Sequence, residues 1–158
     1  MMMSVETIRT YLESLGLHDR VRELEQSSAT VELAAQALGC EPSHIAKTLS
    51  FLAGEQPVLI VAAGDAKVDN AKYKKTFHAK ASMIKADKVE ELTGYAPGGV
   101  CPFLPKEGVK VYLDESLKRF ETVFPAAGTS NSAVRLHLDE LEKAAKADGW
   151  VDVCKNWQ

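Results

Sequence analysis

The sequence has few cysteines, and their arrangement excludes a disulfide framework. Three occur in 158 residues, Cys40, Cys101 and Cys154, and they are widely separated. Disulfide-stabilised small domains carry an even number of cysteines, and zinc sites place their ligands at short, regular spacings. The pattern therefore predicts three unpaired thiols in a cytoplasmic protein, with no metal site.

Long apolar segments are also missing. The longest runs from Pro57 to Ala63, far short of the roughly 20 residues that cross a bilayer. No basic segment followed by an apolar one occurs near Met1, so we expect no secretory signal. The sequence predicts no association with a membrane.

Positive charge is not in excess, although it is unevenly distributed. The chain has 19 basic and 22 acidic residues, a net charge of −3, which argues against a protein that coats nucleic acid generally. The segment from Lys67 to Lys88 nevertheless holds seven lysines against two aspartates, a local charge of +5, so the rest carries −8. Such a segment can steer a polyanion to one face, or it can be an ordinary solvated helix and loop.

The motifs of several large enzyme classes are absent. The chain contains no glycine-rich dinucleotide or phosphate loop, no His-Glu-x-x-His and no Gly-x-Ser-x-Gly, so those nucleotide-binding, zinc-protease and hydrolase folds are excluded. Its four histidines are scattered, which gives a metal site no support.

The chain is otherwise ordinary in composition, with 46% hydrophobic and 26% charged residues. Its length suits one domain, 1–158. Within this domain, we expect residues 1–26 to form an N-terminal helix and the segment that leads into the rest. Helices and strands alternate without regular βαβ spacing, which predicts an α+β fold with a mixed central sheet. The predicted helices are Ser4–Leu15, Thr30–Leu38, Asp69–Phe77, one that begins with an Asp87–Glu90 capping box and ends at Gly94, and Asp139–Ala147. The predicted strands are Ile45–Leu52, Val58–Ala63, Val109–Leu113, Val123–Ala126, Ala133–Leu138 and Trp150–Val153, and Val58–Ala63 is expected to be buried on both faces.

Two small-residue segments and one lysine could carry chemistry. Gly94–Pro102 holds three glycines and two prolines, so its main-chain amides could hold a carbonyl oxygen, or it could be a tight surface turn. Ala126–Ser132 could line a pocket or be a hairpin loop. Lys47 lies at the start of an apolar strand. It could be an anion ligand, or it could be a solvated edge charge that prevents pairing with another sheet. Cys101 could be a nucleophile, although a free cysteine more often packs in a core.

Taken together, these segments resemble the YbaK/prolyl-tRNA-synthetase-associated domain family of aminoacyl-tRNA deacylases. The resemblance runs in one order from about Ser27 to Leu141. Its pieces are Thr30–Ala35 with Leu38–Gly39, Ala46–Leu49, Gly64–Asp65, Thr93–Pro102, Ala127–Gly128, Val134–Leu136 and Asp139–Leu141.

The resemblance implies a compact domain with a barrel-like mixed sheet surrounded by helices. It also implies hydrolysis, without a cofactor, of the ester that joins a wrong small amino acid to tRNA, most simply the tRNA for proline. The partners would be mischarged tRNA and, as a candidate, prolyl-tRNA synthetase. Lys47 would anchor the terminal nucleotide, and Gly98 and Gly99 would orient the ester carbonyl. The implied amino-acid pocket comprises Thr48, Val100, Cys101, Gly128, Thr129 and Ser130. The lysines expected to contact tRNA are Lys72, Lys74, Lys75 and Lys80.

Two departures from the family pattern leave the amino acid open. Many members have serine at the position of Cys101, and the loop after Gly128 lacks the Lys-Arg-Gly of the cysteine-removing members. Alanine, cysteine and serine therefore stay open as substrates. Two other functions also stay open, a non-catalytic module that binds aminoacyl-adenosine and a hydrolase that uses Cys101.

Overall fold

The computed structural model describes residues 4–28 and 30–157. The helices are α1 (Val5–Glu13), α2 (Val31–Leu38), α3 (Asn70–Phe77), α4 (Ala86–Thr93) and α5 (Leu138–Ala145). The strands are β1 (Val21–Glu23), β2 (Ile45–Ala53), β3 (Gln56–Ala63), β4 (Lys67–Val68), β5 (Lys110–Asp114), β6 (Thr122–Pro125), β7 (Ser132–Val134), β8 (Leu136–His137), β9 (Gly149–Val151) and β10 (Cys154–Lys155). None of the helices in these two ranges is long and apolar enough to span a bilayer.

Six strands form a curled sheet in the order β8-β6-β2-β3-β5-β9. Antiparallel pairing joins β2 to β3 and β6 to β8, whereas β2–β6, β3–β5 and β5–β9 are parallel. Two smaller pairs, β1–β7 and β4–β10, lie beside this sheet. The predicted α+β class with a mixed, barrel-like sheet is confirmed.

The central strand β3 is apolar on both faces because a core covers each of them. Leu59 and Val61 share one core with Leu12 of α1, and Ile60 lies in a second core with Tyr73 of α3. The predicted burial of this strand on both faces is therefore confirmed. The neighbouring strand β2 pairs with β3 along most of its length. On its other edge it pairs with β6 only at Ile45 and Ala46, so the rest of that edge is not covered by β6.

The predicted helix ends are largely confirmed. The Thr30 hydroxyl accepts a hydrogen bond from the Leu33 amide at 3.2 Å, which satisfies a free donor of the first turn of α2. Gly39 ends α2 with a φ of 69°, a conformation that glycine adopts without steric cost. The Asp87–Glu90 capping box is wrong, because α4 begins at Ala86 and its N-cap is Lys85, which provides no side-chain cap.

The predicted strand Ala133–Leu138 is divided in two. β7 pairs with β1, and β8 pairs with β6. Between them, the Arg135 amide donates to the Arg20 carbonyl at 3.0 Å, so the chain changes partner at this residue. The alternation of apolar residues continues through the break, and the pattern alone therefore could not show it.

Candidate functional site

A cleft of about 480 Å³ opens along the outer edge of β2. Its walls come from α2, from the segment that leads into α4, from residues 97–100 and from the chain near Phe124 and Ser132. Much of the lining is apolar, including Val31, Ala34 and Ile45. A cleft of this size, mostly apolar with a few polar groups, is typical of a small-ligand site.

The outer edge of β2 is paired at both ends and open in the middle. Ala46 pairs with Pro125 of β6, and farther along the Ser50 carbonyl accepts from the Ile84 amide at 3.0 Å. Thr48 lies between these two points. Because alternate residues of an antiparallel ladder direct their main-chain groups to the same edge, the Thr48 amide and carbonyl lie on the open stretch.

The Thr48 side chain also lacks a partner. Its hydroxyl oxygen is buried and has no hydrogen-bond partner among the described residues, and Thr48 lines the cleft. A buried polar atom without a partner costs roughly 1–3 kcal/mol. A ligand in the cleft can provide the missing hydrogen bond, so this hydroxyl is a candidate binding group.

Lys47 lines the same cleft, and main-chain oxygens hold its ammonium group. Nζ donates to the Gly64 carbonyl at 3.3 Å and to the Ala66 carbonyl. Burial lowers the pKa of Lys47 below the ordinary value for lysine, and the nearby carboxylates of Asp65 and Glu32 oppose this shift. An ammonium group has three donors, and the bonds to Gly64 and Ala66 use two of them. The third can contact an anionic or hydroxyl-bearing ligand.

The two predicted glycines have different places. Gly98 lines the cleft with Val100 and has a φ of 86°, which favours glycine. Gly99 is buried behind it, where a Cβ atom would lie 2.9 Å from the Gly128 carbonyl oxygen and 3.0 Å from Thr129 Cα. The Gly94–Pro102 and Ala126–Ser132 segments therefore pack directly together, which the sequence did not show.

Cys101 is fully buried and is not among the residues that line the cleft. Burial raises the pKa of its thiol to about 12, so the thiol stays protonated at neutral pH. Since the thiolate is the nucleophilic form, this arrangement gives the Cys101 hydrolase no support.

Three further predicted residues are not among the residues that line the cleft. Gly128 packs against Gly99, the Thr129 hydroxyl donates to Ser132 Oγ at 2.7 Å, and the Ser130 carbonyl accepts from the Ser28 amide at 2.5 Å. The residues that they hold, Ser28 and Ser132, line the cleft instead. The assignment of Gly128, Thr129 and Ser130 to the amino-acid pocket therefore stays a prediction, and Ser132 is the residue of this loop whose hydroxyl side chain belongs to the described lining.

The predicted tRNA-contacting lysines differ in their surroundings. Lys72 is engaged within the fold, because Nζ donates to Asp152 and to the Cys154 carbonyl, both at 3.0 Å. Lys74, Lys75 and Lys80 are exposed, and no ion pair joins them to another residue of the described ranges.

Sequence reasoning missed two features of the cleft mouth. Met83 lines the cleft with 59% of its surface exposed, and no local pattern distinguishes it from a core methionine. Lys85 is exposed between Ile84 and Ala86, which both line the cleft. It could have been found, because it belongs to the lysine-rich segment.

The described residues contain no group of three histidine, cysteine, aspartate or glutamate side chains that could hold a metal ion. Among the described lining residues there is also no histidine, aspartate or glutamate. The cleft is thus a main-chain, hydroxyl and lysine site, suited to binding a polar ester and a phosphate or ribose.

Comparisons with known proteins relate this chain to one family. The model of the aminoacyl-tRNA editing domain matches residues 25–144. The uncharacterized protein YwhH of Bacillus subtilis is 50% identical over 157 residues, covering 99% of this chain and all of that protein. The proline–tRNA ligase of Bacillus licheniformis is 29% identical over 122 residues, which cover 74% of this chain and 21% of the ligase.

A solved structure is also similar to this chain in both fold and sequence. The crystal structure of a proposed trans-editing enzyme for prolyl tRNA synthetase superposes with a TM-score of 0.85 at 30% identity, covering 96% of each chain. The chain spans only about a fifth of the proline–tRNA ligases that it matches, so the similarity concerns one domain of those enzymes. The family match covers most of the sequence, and the chain belongs to the aminoacyl-tRNA editing domain family.

Proposed function

We propose that the cleft hydrolyses the ester between a wrongly attached small amino acid and the 3′ end of tRNA, with the tRNA for proline as the first candidate. The observation that carries this proposal is that Lys47, Gly98 and Val100 line one cleft. A cation suits the nucleotide end of such a substrate, and main-chain amides suit the acyl oxygen.

The substrate would provide much of its own reactivity. An aminoacyl ester is already activated, so a protein nucleophile is not required. Since the described lining holds no histidine or carboxylate, we infer that the terminal ribose hydroxyl of the tRNA places the attacking water. The protein then needs only to bind the nucleotide and polarise the carbonyl, for which Lys47 and main-chain amides are suited.

The apolar walls would select a small amino acid. A synthetase discriminates poorly against a residue smaller than its own substrate, because one methylene is worth only about 1–3 kcal/mol. An editing pocket that admits only the smaller residue removes this error. In the present cleft, the unpartnered Thr48 hydroxyl is the group that we assign to hydrogen-bond the aminoacyl moiety.

The test is a deacylation screen with tRNAs charged with alanine, serine, cysteine or proline. We expect one small residue on the tRNA for proline to be released at least about tenfold faster than without protein, while correctly charged prolyl-tRNA is spared. If a non-hydrolysable aminoacyl-adenosine binds but no charged tRNA is hydrolysed, the chain is a binding module and the proposal is wrong.

The exposed lysines lead to a separate prediction. Each phosphate contact releases counterions, so log(kcat/KM) should fall with log salt concentration, by about 0.7–0.9 for each contact. The double variant Lys75→Ala/Lys80→Ala should make this slope shallower by about 1.5. The control is Lys110→Ala/Lys143→Ala, which removes the same charge from exposed positions outside the lysine-rich segment. Equal slopes in the two double variants would contradict tRNA contact by this segment.

A further inference from the structure

The ammonium group of Lys47 is held by a turn, and this turn is itself held from two sides. Gly64 and Ala66 provide the carbonyls that accept from Lys47 Nζ, and Asp65 lies between them. The position of Lys47 Nζ therefore depends on the position of this three-residue turn.

One side of the turn is packed tightly against α2 and the residues before β2. A Cβ atom on Gly64 would lie 2.0 Å from the Pro42 carbonyl oxygen and 2.7 Å from Val31 Cγ1. Such distances leave no room for a side chain, so glycine is required. On this side the turn cannot move closer to Pro42 and Val31.

The other side of the turn is held by a paired arginine and carboxylate. Arg119 donates to the two carboxylate oxygens of Asp65 at 2.6 and 2.9 Å. The Arg119 guanidinium is fixed in turn by hydrogen bonds of 2.9 Å to the Ser116 and Trp157 carbonyls, and it stacks on the rings of Phe120 and Trp157 at 4.7 and 5.3 Å. A planar guanidinium with this many contacts has little freedom, so it determines where Asp65 lies.

We propose that Arg119 and Asp65 are positioning residues for Lys47, because they hold the turn whose carbonyls aim the ammonium group into the cleft. This inference rests on the proposed function for the role of Lys47, but the contact chain itself does not require a tRNA. It assigns a function to an ion pair that lies outside the cleft lining.

The pair is too exposed to be explained by stability alone. The Arg119 and Asp65 side chains are 27% and 37% exposed, and ion pairs with this much solvent contact contribute little to folding. Loss of the pair should therefore lower the midpoint of thermal unfolding by only about 3 °C. A much larger loss of activity than of stability is the signature of positioning.

Charge gives a second, independent readout. The groups that face Lys47 are Asp65 in the turn, Glu32 on α2, Cys154 on β10 and Lys67 on β4. Burial and, to a smaller extent, Lys67 lower the pKa of Lys47, whereas Cys154, Asp65 and Glu32 raise it. Removing the Asp65 charge should therefore lower the pKa of Lys47 further.

The test compares Asp65→Asn and Arg119→Gln with wild type and with Lys47→Ala. We expect both variants to lower kcat/KM for deacylation by about tenfold. In protein labelled with ¹³C at lysine Cε, an NMR titration without RNA should show a lower Lys47 midpoint in Asp65→Asn than in wild type. Arg119→Gln leaves the carboxylate charge in place, so its midpoint should not fall.

The matched control is Arg20→Gln. Arg20 donates to both carboxylate oxygens of Glu140 at 2.8 and 3.3 Å, with side-chain exposures of 30% and 22%, and this pair does not touch the turn. We expect its deacylation rate and Lys47 midpoint to match those of wild type.

The outcomes separate the two proposals. If wild type deacylates and both pair variants do so at the wild-type rate with an unchanged Lys47 midpoint, the positioning role is wrong and the proposed function stands. Equal losses in Arg20→Gln and Arg119→Gln would also overturn positioning. If wild type hydrolyses no charged tRNA, the proposed function fails and the positioning role fails with it, and the NMR titration then reports only whether the Asp65 carboxylate acts on Lys47.

Discussion

Lys47→Ala is expected to lower kcat/KM for deacylation by about 100-fold while the fold stays intact. The side chain is the cation of the described cleft lining, and a hydrogen bond from a charged donor is worth roughly 1.5–3 kcal/mol. The measurement is single-turnover hydrolysis of the mischarged tRNA identified by the screen, together with thermal unfolding.

The pH dependence of wild type should agree with this role. Burial lowers the pKa of Lys47, so its charged form is lost as pH rises through a value below that of an ordinary lysine, about 10.4. We expect kcat/KM, corrected for spontaneous ester hydrolysis, to fall over that range in wild type and to show no such fall in Lys47→Ala.

Lys143→Ala is the control, since Lys143 is exposed in the last turn of α5 and does not line the cleft. It removes the same charge and should deacylate at the wild-type rate. Comparable losses in the two variants would mean that overall charge, rather than the position of Lys47, governs the reaction.

Gly99→Ala is expected to damage both activity and stability. The added methyl would meet the Gly128 carbonyl at 2.9 Å and Thr129 Cα at 3.0 Å, and main-chain atoms cannot move away as a flexible side chain can. Overpacking of this kind costs about 1–3 kcal/mol, which corresponds to a fall of roughly 3–10 °C in the unfolding midpoint. Because Gly98 and Val100 line the cleft on either side, we expect kcat/KM to fall by about tenfold or more.

Gly149→Ala provides the matched control for this steric argument. Its added methyl would lie 4.0 Å from Tyr112 Cδ1, which is an ordinary van der Waals contact. This variant should keep the wild-type activity and unfold within about 2 °C of wild type. A Gly99→Ala protein that behaves like Gly149→Ala would show that the two loops are not in close contact.

Local patterns predicted the features that depend on neighbouring residues. The hydroxyl of Thr30 and the φ of Gly39 define α2, and both follow from residue chemistry at the helix ends. The apolar run of β3 predicted a strand covered on both faces. Such features need no knowledge of distant parts of the chain.

The features that sequence reasoning missed depend on distant contacts. Lys72 donates a hydrogen bond to Asp152, which is 80 positions away in the sequence. The residues next to Lys72 therefore do not indicate that its side chain is engaged within the fold. Gly99 meets Gly128, a contact that the order of the motifs did not reveal. The break between β7 and β8 has the same origin, since it reflects a change of partner strand rather than a change in apolar pattern.

The most direct measurement is a crystal structure of the chain with a non-hydrolysable aminoacyl-adenosine in which an amide replaces the ester. We expect the nucleotide within hydrogen-bonding distance of Lys47 Nζ, the acyl oxygen on the main-chain amides of Gly98 and Val100, and a partner for the Thr48 hydroxyl. A ligand bound away from the β2 edge, or a Lys47 side chain turned away from the ligand, would contradict the proposed function.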